Sequence, residues 1–163
     1  MRPSRLVAVG VVSTCVAGVS AVAPAVARLP NAVIGTARIG QVQPTTVLAD
    51  SSGRTLYVYT GDRNGHVSCY GDCLSPSYKP LLTGRKVLAR SGSGVKQKLL
   101  GTVRRANGQL QVTYNRHPMY TDTQDSRSGQ DYGQACQGSA GYWFVIGTNG
   151  NPNKKLIGEC GAY

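Results

Sequence analysis

Leu56-Tyr57-Val58-Tyr59-Thr60-Gly61-Asp62 decides the reading of this chain, because Met119-Tyr120-Thr121-Asp122-Thr123-Gln124-Asp125 repeats its spacing. The first stretch reads Y-x-Y-x-x-D and the second Y-x-D-x-x-D, each behind a bulky apolar residue and each leading into a glycine-containing loop. An aromatic closes each stretch, Tyr78 after the first and Trp143 after the second. A recurring aromatic–acid spacing implies two copies of one supersecondary unit. Side chains alternate along a strand, so Tyr57 and Tyr59 share a face and can stack in one core. Asp62 falls beyond the strand's end, where its carboxylate can accept hydrogen bonds from N–H groups of the following turn. Asp125 is expected to do the same. Asp122 occupies the second aromatic position, so the second copy is expected to lack one core ring.

Working outward, residues 109–115 alternate cleanly, with Leu110, Val112 and Tyr114 on one face and Gln109, Gln111, Thr113 and Asn115 on the other. This predicts a half-buried strand of an antiparallel sheet. Asn107-Gly108 joins it to 103–105 as a hairpin, both central positions tolerating positive φ. Asp50-Ser-Ser-Gly53 and Thr148-Asn-Gly-Asn151 mark two further hairpins. Twenty-one glycines and short apolar runs fit an all-β fold. The expected architecture is an antiparallel sandwich or small barrel built from two related β units. Unit 1 covers about 34–82, a basic linker 83–96, unit 2 about 97–147 and a C-terminal tail 148–163.

Residues 1–27 read as a signal peptide. Arg2 and Arg5 supply the positive start, Leu6 to Val22 the apolar stretch, and Ala25-Val26-Ala27 the small-residue cleavage site. Lipid anchoring at Cys15 is the disfavoured alternative, since Thr14 precedes it and the apolar stretch continues past it. The domain is then 28–163, directed to the cell envelope or the extracellular space. It keeps Cys69, Cys73, Cys136 and Cys160, an even number in an oxidising destination, which argues for two disulfides. Three pairings are possible. Gly71 allows Cys69 to meet Cys73, leaving Cys136 for Cys160, and this is the pairing favoured here. The longer second loop should then contribute more stability on the entropic account. A redox pair would normally be Cys-x-x-Cys, whereas three residues intervene here and Asp72 adds negative charge. Four-cysteine or Cys/His zinc lacks paired short spacings.

Charge is unevenly placed. Removing Arg2 and Arg5 lowers the formal net charge from +11 to about +9. Between Cys73 and Tyr120 lie Lys79, Arg85, Lys86, Arg90, Lys96, Lys98, Arg104, Arg105 and Arg116, and no acid. Such a block attracts an anionic envelope polymer or a membrane surface. It has no interleaved aromatics of the kind that stack bases, so nucleic acid is not an expected partner. The oxygen-rich loops after Asp62 and Asp125, with Asn64, His66, His117 and Asp131, are weak metal candidates; neither has the spacing of a twelve-residue calcium loop. No Ser elbow, phosphate loop or facing carboxylate pair is legible, so no enzyme activity, catalytic residue or cofactor is expected.

The run Gly53 to Asp62, then Ser68-Cys69-Tyr-Gly-Asp-Cys73 and Lys79-Pro80-Leu81, resembles the bacterial "secreted repeat of unknown function", predicted lipoproteins with a Yx(F/W/Y)xxD motif. Gln111 to Tyr120, including His117-Pro118, is similar to that family's second repeat, and the likeness spans roughly 34–147. Two departures stand out: Asp122 where an aromatic is expected, and Tyr78 where the family usually carries Trp. The resemblance implies export and assigns no activity. The overall expectation is a secreted binding or structural module. A metal- or haem-handling protein is the alternative, and a thiol redox protein acting through Cys69 and Cys73 the weaker one.

Overall fold

Short strands separated by glycine turns make up the chain, as its composition requires. The computed structural model describes residues 29–39, 45–63, 65–74, 76–155 and 160. The expected signal segment with Cys15, and Asn64, lie outside the described residues. Among the described residues eleven strands follow in order: β1 (Ala32–Ile39), β2 (Thr45–Ala49), β3 (Tyr57–Tyr59), β4 (Tyr78–Pro80), β5 (Leu82–Thr83), β6 (Val87–Ala89), β7 (Leu100–Arg104), β8 (Leu110–Tyr114), β9 (His117–Pro118), β10 (Tyr120–Asp122) and β11 (Trp143–Val145). Helix among the described residues is limited to 3-10 turns at Gly71–Leu74 and Gln97–Leu99.

The central sheet has the order β11-β3-β10-β4 and brings the two motifs side by side. Tyr120 pairs with Tyr57 between antiparallel β10 and β3. On the flanks, Trp143 lies opposite Tyr59, and Tyr78 lies opposite Asp122. Each motif strand therefore takes its outer partner from the other half of the chain. The remaining sheets are β2-β1-β6 and β5-β8-β7 with β9 on β8. The fold is all-β and largely antiparallel, and the sheets do not close into a barrel.

Alternation along β3 serves two cores rather than a core and solvent. Tyr57 and Tyr59 join Tyr78, Tyr120, Trp143 and the cysteines Cys69, Cys73 and Cys136 in one cluster. Leu56 and Val58 point into a second, with Ile34, Leu48, Val112, Tyr114, Met119 and Phe144. The same holds for β8, which is not half-buried as its polar alternation suggested. Gln111 and Thr113 are buried as well as Val112 and Tyr114. Gln111 can be buried because its amide is satisfied: it donates to the Met119 carbonyl and accepts from Arg105.

The three glycine turns share one geometry. The N–H groups of Gly53, Gly108 and Gly150 bond the carbonyls of Asp50, Arg105 and Gly147, and all three glycines have φ between 82° and 84°. The expected two-residue Asn107-Gly108 turn is thus a longer one, with positive φ at the glycine and not at Asn107. The Asn107 carboxamide instead accepts the Gln109 N–H, fixing the turn locally. Residues 83–96, expected as a connection, contribute β6, which runs parallel to β1.

Candidate functional site

Each motif's first tyrosine is bonded to the other motif's last aspartate. Tyr57 donates its hydroxyl to Asp125 Oδ2 at 2.6 Å, and Tyr120 donates to Asp62 Oδ2 at 2.8 Å. The second oxygen of each carboxylate gathers its own loop. Asp62 Oδ1 accepts from the Ser68 N–H and hydroxyl and from the Cys69 N–H. Asp125 Oδ1 accepts from the Tyr132 N–H at 3.0 Å. These carboxylates therefore hold a loop and cross-link the two halves at once.

Burial pushes the Asp125 carboxyl up to about 6, against the opposing pull of the Tyr57 hydroxyl and the Tyr132 N–H. It also raises Asp122 and Asp131. The hydroxyls of Tyr57, Tyr78 and Tyr120 are raised for the same reason, with nearby carboxylates adding to the shift. Asp131 keeps a buried Oδ1 that has no hydrogen-bond partner among the described residues.

Trp143 is the hub of the aromatic cluster. Tyr78 stacks on it with centroids 3.8 Å apart and planes 7° apart, Tyr59 leans on it at 4.7 Å, and Tyr120 meets it edge-on at 4.9 Å. The ring missing at Asp122 is thus compensated by Tyr78, which crosses from the first half to face it. Disulfides join Cys69 to Cys73 and Cys136 to Cys160. A cavity of about 230 Å3 lies between them, walled by Cys73, Cys136, Cys160, Tyr78, Trp143 and Asp122. Sequence reasoning missed this cavity. One signal was available: the offset that carries Tyr57 onto Tyr120 also carries Asp62 onto Asp125 and Cys73 onto Cys136.

The weak metal candidates do not gather. Among the described residues no group of three or more His, Cys, Asp or Glu side chains is placed to hold a metal. Asp62 and Asp125 spend their oxygens on the loops and tyrosines. His66 is exposed, and His117 sits half-buried on β9. Burial, then Lys154, lowers the His117 pKa, with Asp62 opposing.

Of the nine residues expected to form a basic surface, Lys79, Arg85, Lys86, Arg90, Lys96, Lys98, Arg104 and Arg116 are exposed. Arg105 is not; only 4% of its surface is exposed. Its guanidinium bonds the Gln111 side chain and the Cys69 carbonyl and lies 4.5 Å over the Tyr70 ring. The charge is tolerated inside because fixed acceptors and an aromatic face replace its water.

The β7–β8 hairpin, the second motif and Trp143 form one continuous stretch of these contacts. Residues 101–146 match the secreted repeat of unknown function. No curated protein and no solved structure matches the chain. The family is described as secreted, and among the described residues no helix is long and apolar enough to cross a membrane. The matched stretch holds Tyr120, Asp122, Asp125 and Trp143, and two of the cavity's walls in the central sheet, Asp122 and Trp143, come from it.

Proposed function

We propose that this chain is an exported, non-catalytic binding module that contacts an anionic envelope polymer through the exposed cations between Lys79 and Arg116. The observation that carries the reading is the sorting of charge by depth. Asp50, Asp62, Asp122, Asp125 and Asp131 are all buried. Lys79, Arg85, Lys86, Arg90, Lys96, Lys98 and Arg104 are exposed and form no ion pair among the described residues, where Arg54–Asp50 is the pair present. The exterior is therefore more cationic than the formal net charge of about +9 that remains without Arg2 and Arg5 suggests. A surface of that sign concentrates polyanions and releases their counterions on contact.

Retention on immobilised linear polyphosphate, measured against sodium chloride concentration, tests this. The variant Lys79→Gln/Lys86→Gln/Lys96→Gln/Lys98→Gln is expected to elute at lower salt, with a shallower dependence on salt. Elution unchanged from wild type would refute the contact.

A further inference from the structure

The cavity between the disulfides has the opposite sign to the exterior. Asp72 and Asp122 line it, together with Ser77, Gln124, Tyr78 and Trp143, and among the described residues no Lys, Arg or His does. Asp122 is 3% exposed. Oδ1 accepts the Gln124 N–H at 3.0 Å, while among the described residues nothing donates to Oδ2. The hydroxyl of Tyr78 beside it does not serve it. Tyr78 Oη and Asp122 Oδ2 flank Gly133, each 2.9 Å from where a Cβ would stand, but Tyr78 donates to the Gly133 carbonyl at 3.1 Å. A carboxylate oxygen at the wall of a cavity with no protein donor is an acceptor for something that enters.

The aromatic wall narrows the choice of cation. Tyr78 stacks on the Trp143 ring and Tyr59 leans on it, so that ring is already engaged by protein. A quaternary ammonium rests on an aromatic face and carries no N–H, so it would leave the Asp122 oxygen without a donor. A cation carrying N–H donors can use what the cavity offers, two carboxylates and the hydroxyl and amide oxygens of Ser77 and Gln124. We infer that this cavity binds an aliphatic primary ammonium group, with Asp122 Oδ2 as its acceptor at the cavity wall and Asp72, which is exposed, as the second carboxylate. The site is independent of the polymer contact: it uses none of the exposed cations.

Calorimetric titration of the disulfide-intact protein with 1,5-diaminopentane tests the assignment. The emission of Trp143, the single tryptophan of the chain, reports in parallel on the cavity. Saturable binding is expected. Asp122→Asn should weaken it about tenfold or more, and Asp72→Asn by a smaller factor, because an amide cannot replace the charge of the acceptor. Nα-acetyl-lysine amide presents the same group at the end of a peptide side chain. Binding of both probes assigns the site to free amines and side-chain ends alike, and binding of the diamine alone assigns it to free amines. Asp122→Asn is near-isosteric; were it not to fold, Asp72→Asn, at an exposed position, still carries the test. The assignment is overturned by no saturable binding, by tetramethylammonium binding as tightly as the diamine, or by variants that bind like wild type.

Discussion

Tyr57 and Asp125 lie far apart in sequence, yet they make one of the shortest side-chain hydrogen bonds of the molecule. The bond has a pH signature. Burial holds the folded-state Asp125 carboxyl at about 6, whereas an unfolded aspartate titrates near 4. The folded protein therefore binds the proton more tightly. That contribution to stability is complete below about pH 4 and is lost as pH rises through about 6. Asp122 and Asp131, also raised by burial, act in the same direction. Urea unfolding measured between pH 4 and 7 should show stability falling across this window, with Asp125→Asn flattening part of the slope. Tyr57→Phe removes a donor to the ionised form, so it should steepen the loss. An Asp125→Asn profile parallel to wild type would show that the carboxyl does not titrate there. At this scale the sequence was partly legible. Asp62 as a cap on its own loop followed from its place after a strand, but the tyrosine that completes each carboxylate belongs to the other copy.

The turns show how elements are specified by short stretches. Gly53, Gly108 and Gly150 occupy the same left-handed position in three hairpin turns. They differ in what surrounds them. A Cβ at Gly108 would meet nothing within 4 Å, whereas at Gly150 it would stand 2.7 Å from Asn115 Cβ. Gly108→Ala should cost only the backbone penalty, about 1–2 kcal/mol. Gly150→Ala should cost more, because Asn115 is tied by its amide to the Gly150 carbonyl and cannot withdraw freely. Equilibrium denaturation of both variants checks the order, and equal losses would contradict it. All three turns were legible from their Gly, Asn and Asp residues. The two-sided burial of β8 was not, because polar alternation normally marks a solvated face and here marks Gln111 bonded to Arg105 and Met119. Arg105 itself read as one more surface cation. Tyr70 and the Cys69 carbonyl, from a distant loop, join Gln111 in making its burial tolerable.

Across the whole molecule, the disulfides close loops of different size, with separations of 4 and 24 residues. Restraint of the unfolded chain grows with loop length, so replacing Cys136 and Cys160 by Ser should cost about 1.5 kcal/mol more than replacing Cys69 and Cys73. Thermal unfolding of the two double variants measures this; the reverse order would place the larger effect in packing of the buried Cys69. The sequence by itself determined the all-β class, the hairpin turns and the excess of positive charge, and it favoured the pairing of the four cysteines without deciding it. Each of these rests on local preference or on composition, which neighbouring residues express whatever the rest of the chain does. Tertiary structure alone decided that the motifs would exchange partners across β3 and β10, that five of the aspartates would turn inward while the cations other than Arg105 in the basic block stayed outside, and that both disulfides would wall one acidic cavity. Those outcomes depend on contacts between residues far apart in the chain, and such contacts are set only when the two cores pack against each other.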